Sequence, residues 1–177
     1  MNTIEDTLRM APPPTATLAD VWRGRPQPHA GALRIRPTRI DDFAAIRDLQ
    51  RATYPAIAPW TEEQLAAQVA AFPEGQMVAE MEGRVIGASA SLVVMWDDYA
   101  VDHTWKGITG DGFFGTHEPA GRTLYGAEVV VDARRRGNGV GRALYQARRQ
   151  LCQRLNLRRI IAAGRLPGYR NVKDVMS

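Results

Sequence analysis

Residues 124–155, LYGAEVVVDARRRGNGVGRALYQARRQLCQRL, carry the pattern that decides the fold. A β-branched run, Val129 to Val131, enters a turn with glycines at 137, 139 and 141, and the turn enters a helical pattern. Val140, Leu144, Ala147, Leu151 and Leu155 recur at three- and four-residue spacing, the period of one helix face. Arg142, Arg149 and Gln153 fall opposite. Burial of the larger apolar members contributes roughly 1.5–3 kcal/mol each, which anchors the helix and holds its start at the strand's end.

The first turn of a helix leaves backbone N–H groups without partners and carries partial positive charge. Glycines there remove the Cβ atoms that would keep a ligand away from those groups. Such a turn suits phosphate oxygens, above all a pyrophosphate, although a plain strand-to-helix connection has the same outline. A triphosphate-binding loop requires Lys and Ser or Thr where Arg142 and Ala143 stand. A dinucleotide fold requires a third glycine in another place and an acid about twenty residues on. No Asp or Glu occurs from Ala133 to Lys173, whereas arginines crowd that interval, among them Arg134, Arg135, Arg136, Arg142, Arg148 and Arg149. The ligand should therefore be more anionic than a nicotinamide dinucleotide. Coenzyme A, with a pyrophosphate and a separate ribose phosphate, fits.

Arg136-Gly137-Asn138-Gly139-Val140-Gly141 resembles the R/Q-x-x-G-x-G/A signature of the GCN5-related N-acetyltransferase (GNAT) family. Val129 to Val131 is similar to that family's fourth strand, and Val140 to Leu155 to its third main helix; Ala133 stands where the family usually has proline. The likeness spans Ala32 to about Gly168. It implies an α/β (α+β) fold with a mixed, mostly antiparallel twisted sheet flanked by helices. It also implies acetyl-CoA as co-substrate, held by Val129, Val130, Val131, Arg136, Gly137, Asn138, Gly139, Val140, Gly141 and Arg142, with a main-chain N–H of Val129 to Val131 polarising the thioester.

The remaining composition agrees with one domain and appendages. At 177 residues the chain can bury about 68–70% of its unfolded surface. A net charge of +4 and a pI near 9.6 invite a nucleic-acid reading. Against it, the cations are nearly all arginine, and neither a stacking platform nor a nucleic-acid motif accompanies them. Cys152 is the single cysteine, read as a small buried hydrophobe, and three scattered histidines lack zinc-ligand spacing, so no metal is expected. No apolar run has membrane-spanning length, which makes a cytoplasmic location the default.

Met1 to Gly31, with Pro12, Pro13, Pro14, Pro26 and Pro28, reads as an extended, largely disordered leader to a domain over 32–177. Within the domain, Ala32 to Arg36 predicts a strand, and Asp41 and Asp42 predict a cap for a helix burying Phe43, Ile46 and Leu49. Thr61-Glu62-Glu63-Gln64 reads as a capping box for a second helix carrying Leu65, Val69 and Phe72. Gln76–Met81 and Arg84–Met95 predict a hairpin through Glu82 and Gly83. The interval 96–122 is too long for a hairpin loop. Its Asp97, Asp98, Asp102, His103, Asp111, His117 and Glu118 suggest a metal site but lack the spacing of a metal loop, so a substrate-facing flap over the end of the sheet is favoured over a metal site. Arg159 to Ala163 predicts a last strand, and family members normally continue with a further helix and two strands. These elements are missing here, so the domain over 32–177 reads as C-terminally incomplete: either the chain is a fragment, or a further C-terminal domain or a second subunit, as in a homodimer, supplies that wall. Gly164 to Tyr169 resembles acetyltransferase domains placed ahead of a carbon-nitrogen hydrolase domain.

An acetyl group moves to an amine only after the amine loses a proton. For a lysine-like amine at pH 7 this costs about 4 kcal/mol, from a gap of about three pKa units. Glu128, on the same strand as the thioester-polarising valines, is the first candidate for the base, against a reading in which it faces solvent or pairs with an arginine. Tyr169 is the candidate acid for the leaving thiolate; Tyr145, on the long helix, is expected to be packed. Two functions follow. One is an N-acetyltransferase joining acetyl-CoA to a small primary amine, with no nucleic acid or membrane partner. The other is a non-catalytic CoA-binding sensor or docking module that keeps the phosphate-binding half alone.

Overall fold

A computed structural model describes residues 32–99 and 103–162. The expected leader over 1–31, Asp102 and Tyr169 lie outside the described residues. Five strands form one sheet in the order β1 to β5: β1 (Arg34–Pro37), β2 (Met77–Met81), β3 (Arg84–Val94), β4 (Thr123–Val131) and β5 (Arg159–Ala162). The first four pair antiparallel and the last pair is parallel. Helices α1 (Phe43–Thr53) and α2 (Glu62–Ala71) precede β2. The short α3 (Trp105–Thr109) lies between β3 and β4, and α4 (Val140–Arg154) makes the crossover a parallel pair requires. The expected mixed, mostly antiparallel architecture is the one observed.

Local chemistry accounts for these elements. The Thr61 hydroxyl accepts from the Gln64 amide while the Gln64 side chain accepts from Thr61 N–H, completing the capping box. Glu82 and Gly83, at φ of 53° and 73°, turn the β2–β3 hairpin in the conformation that matches strand twist. Asp42 departs from expectation. It does not cap α1; its carboxylate is buried against Arg36, which donates from Nη1 at 2.6 Å and Nη2 at 2.8 Å, and it accepts Arg39 N–H.

Two apolar clusters sandwich the sheet. On one face, Phe43, Ile46 and Leu49 from α1, Leu65 from α2, Ile108 from α3 and Phe114 meet Leu92, Tyr125 and Val130. On the other, Val140, Leu144, Leu151 and Cys152 of α4 meet Ile86, Val93 and Leu124. The 96–122 interval, expected as a substrate-facing flap, is tied into the core through Ile108 and Phe114, both fully buried. Tyr145 and Leu155, expected to be packed, are instead exposed: Tyr145 is on the face of α4 away from the sheet, and Leu155 lies past the helix's last turn.

Two irregularities position the site. Register shifts between Ala90 and Ser91, which face Glu128 and Gly126, so Ala127 is an extra residue that bulges β4. β5 pairs with Thr123 to Gly126 alone; beyond Gly126, β4 runs on unpaired on that side among the described residues.

Candidate active site

The unpaired end of β4 and the start of α4 border a groove of about 410 Å³. Val129 and Val131 line it from β4, Thr53 and Tyr54 from the end of α1, and Arg135, Arg136, Gly137, Gly139, Val140, Gly141 and Arg142 from the turn. All but three of these were legible in the sequence; Thr53, Tyr54 and Arg135 were not. Asn138 is exposed beside it, and Val130 points the other way, into the core beneath α1.

The turn is built to stay open. Gly137 and Gly139 have φ of 80° and 79°, a conformation in which side chains are strained. A Cβ added to Gly137, Gly139 or Gly141 would meet nothing within 4 Å, so these positions look onto empty space. Gly139 is the N-cap of α4 and supplies no side-chain hydrogen bond, so the first-turn amides have no cap from that residue. A fifteen-residue helix therefore presents its positive end to a groove flanked by Arg135, Arg136 and Arg142. Phosphate oxygens fit this arrangement.

Not every arginine of the acid-free interval serves the groove. Arg134 is occupied by Asp132, whose carboxylate accepts from its side chain at 2.9 Å and from its backbone N–H at 3.0 Å. Those bonds hold Asp132 below the usual carboxylate range. Arg148 is 1% exposed and faces the sheet. Its Nε donates to Ser91 Oγ at 2.9 Å, and its Nη2 donates to the carbonyls of Ala90, at 2.7 Å, and Glu128. Burial pulls its pKa down to about 10, which leaves it charged at neutral pH. Its position in sequence held the signal: four residues after Leu144 and three before Leu151, it lies on the apolar stripe of α4.

The bulge next to the groove is held mainly by side chains from afar. Trp105 Nε1 donates to the Ala127 carbonyl at 3.0 Å, Arg148 to that of Glu128, and Tyr54 Oη to that of Val129 at 3.3 Å. Glu128 itself projects to the α1 side, where Gln50 Nε2 donates to its Oε2 at 2.5 Å. Glu128 is half-buried, and the bond from Gln50 is a contact the sequence did not suggest. Gln50, Tyr54 and Trp105 went unnoticed in the sequence because nothing local to them announces a contact with β4. On the same face, the Tyr125 phenol is fully buried, and burial raises its pKa. Among the described residues no group of three or more His, Cys, Asp or Glu is arranged to hold a metal ion, and no helix is long and apolar enough to cross a membrane.

Comparison with known proteins places this architecture. Residues 43–173 match the family described as Acetyltransferase (GNAT) family. The chain is 42% identical over 143 residues to "Probable hydrolase YhcX" of Bacillus subtilis (strain 168), covering 81% of this chain and 28% of that protein. It is 35% identical over 142 residues to "Uncharacterized N-acetyltransferase YkwB" of the same organism, covering 78% of this chain and 63% of that one. The chain thus spans less than two thirds of either relative. Among solved structures, the loading GNATL domain of CurA from Lyngbya majuscula superposes with a TM-score of 0.68 at 17% identity, over 79% of this chain and 68% of that one. The GphF GNAT-like decarboxylase in complex with isobutyryl-CoA gives 0.61 at 20% identity, over 81% and 72%. At those identities the likeness is one of fold.

Proposed function

The chain belongs to the acetyltransferase (GNAT) family, a family of acyl transfer, and on that premise we propose that it moves an acetyl group from acetyl-CoA to a small primary amine by direct attack within a ternary complex. The observation that carries the reading is the uncapped start of α4 opening onto an arginine-flanked groove that continues to the unpaired end of β4. The solved relative with an acyl-CoA bound supports the same ligand class.

In this reading Gly137 to Gly141 take the diphosphate on backbone amides, with Arg136 and Arg142 alongside. Acetyl-CoA supplies an activated acyl group whose thioester bond breaks as the new amide forms. A main-chain N–H of Val129 to Val131, on the stretch β5 leaves unpaired, faces the developing oxyanion. Glu128 accepts the amine's proton, and Tyr169 remains the candidate donor to the departing thiolate. A relative named as a hydrolase, of whose length this chain spans 28%, supports a further domain beside this one.

Thiol release from acetyl-CoA in the presence of tyramine, putrescine and lysine tests the transfer, and calorimetric titration with CoA tests the groove. Glu128→Gln is expected to lower kcat about 10²-fold with little change in CoA affinity. CoA binding without thiol release on a broad amine panel would favour the non-catalytic module instead.

A further inference from the structure

Glu128 is governed by a residue 78 positions away. Gln50 is 3% exposed on the inner face of α1, and both ends of its amide are committed. Oε1 accepts the Trp60 backbone N–H at 3.1 Å, and Nε2 donates to Glu128 Oε2 at 2.5 Å. The amide cannot turn over. Reversal would set its NH₂ against the Trp60 N–H and its oxygen against a carboxylate, losing both bonds. The main-chain bond fixes which end of Gln50 meets Glu128, and the buried stem fixes where.

We infer that Gln50 is a positioning residue that orients Glu128 and lowers its proton affinity. The inference rests on the reading of Glu128 as the base. A neutral donor on one carboxylate oxygen favours the ionised form without competing for the proton the carboxylate is to receive. A lysine or arginine there would hold Glu128 too acidic to act; an apolar residue would leave it free to rotate. Arg148 bonds the Glu128 carbonyl, and its charge also attracts the Glu128 carboxylate. The Tyr54 phenol bonds the neighbouring Val129 carbonyl, and Trp105 that of Ala127. The small space beside Glu128 is lined by Thr38, Ile46, Trp60, Gln68 and Ala90 among others, none of them charged. Gln50 is a polar side chain that reaches the carboxylate itself.

The test reads Glu128 directly and needs no acceptor. In protein labelled with ¹³C at glutamate Cδ, the Glu128 resonance is assigned by its disappearance in Glu128→Gln and followed over pH. In Gln50→Leu the midpoint is expected to move upward by about one pH unit, a tenfold gain in proton affinity, because the ionised form loses its donor. Gln50→Glu keeps an acceptor for Trp60 N–H but sets a second carboxylate beside the first, and should move the midpoint further up. CoA affinity, titrated on the same proteins, stays within about twofold of wild type, since the groove is untouched. Midpoints unmoved in both variants overturn the inference, whatever happens to the rate. Full acetylation by Glu128→Gln overturns instead the assignment of Glu128 as base, and the two failures are read on separate instruments.

Discussion

The two ends of the candidate site are built by opposite means. The phosphate-facing end is a continuous stretch, Arg135 to Arg142, whose glycines, arginines and helix start are neighbours in the chain. The end that would carry the chemistry, Ala127 to Val129, is held by Gln50, Tyr54, Trp105 and Arg148, which come from α1, its exit, α3 and α4. The first needs only correct local conformation. The second needs the whole fold, because a strand that bulges and loses its neighbour leaves carbonyls that must find donors elsewhere. A binding half can thus survive changes that dismantle the reactive half.

Arg148→Met puts that contrast under the largest strain. It fits the volume but leaves Ser91 Oγ and the Ala90 and Glu128 carbonyls without their donor inside the sheet, at a cost of about 3–5 kcal/mol. Urea denaturation should register the loss. A change under 1 kcal/mol would mean that the bulge is held by the strand ladder instead.

Asp42→Asn tests the platform beneath α1, which carries Gln50. Arg36 joins β1 to Asp42 and, through Nε at 2.7 Å, to Glu80 of β2. Burial alone would raise the Asp42 pKa, but hydrogen bonds from Arg36 and Arg39 N–H outweigh it and hold the carboxyl below its ordinary range. A depressed carboxyl contributes stability that is present above its unfolded pKa, near 4, and lost as pH falls through the folded value. Wild type should therefore lose stability below about pH 4. Asp42→Asn should start about 2 kcal/mol lower at pH 7 and lose less on acidification.

The glycines separate ligand approach from conformation. Gly139→Val forces a β-branched residue to φ of 79°, costing about 1–3 kcal/mol, and should also lower CoA affinity at least 100-fold. Gly141 has no such conformation, and an added methyl there meets nothing in the protein. Gly141→Ala should leave thermal stability unchanged or slightly raised while weakening CoA about tenfold. Equal CoA affinity in Gly141→Ala and wild type would show that this amide does not meet the ligand.

What was legible follows the same division. The β2–β3 hairpin, the capping box at Thr61 to Gln64 and the α4 turn rest on period, caps and glycine positions, all short-range signals. Leu155 was read as core because the period continues past the last turn of α4, where the sheet no longer lies beneath it. Arg148 was counted with the arginines that imply an anionic ligand because charge outweighed its place on the apolar stripe. Asp42 was read as a cap because its partner Arg36 is on a strand and not on the helix. Gln50 carries no signature at all; its meaning comes from what faces it across the core.

The smallest expected effect concerns the interval that brings Trp105 to β4. His117 ties that interval back to β3, its Nδ1 accepting the Val93 N–H at 3.1 Å and its ring stacked on Phe72 with centroids 4.7 Å apart. Burial lowers its pKa despite the attraction of Glu118 and Glu74. Protonation would place a hydrogen on Nδ1 and break the bond to Val93. The unfolded chain binds that proton more readily, so stability should fall as pH drops through about 6.5 and level off below the folded value. Unfolding midpoints of wild type should decline between pH 7 and 5, with faster hydrogen exchange at the Val93 amide, while His117→Leu starts lower and stays flat across the window. A wild-type midpoint indifferent to that range would mean the loop is held by Ile108 and Phe114 alone, and that the reactive half of the site is anchored by packing more than by its polar ties.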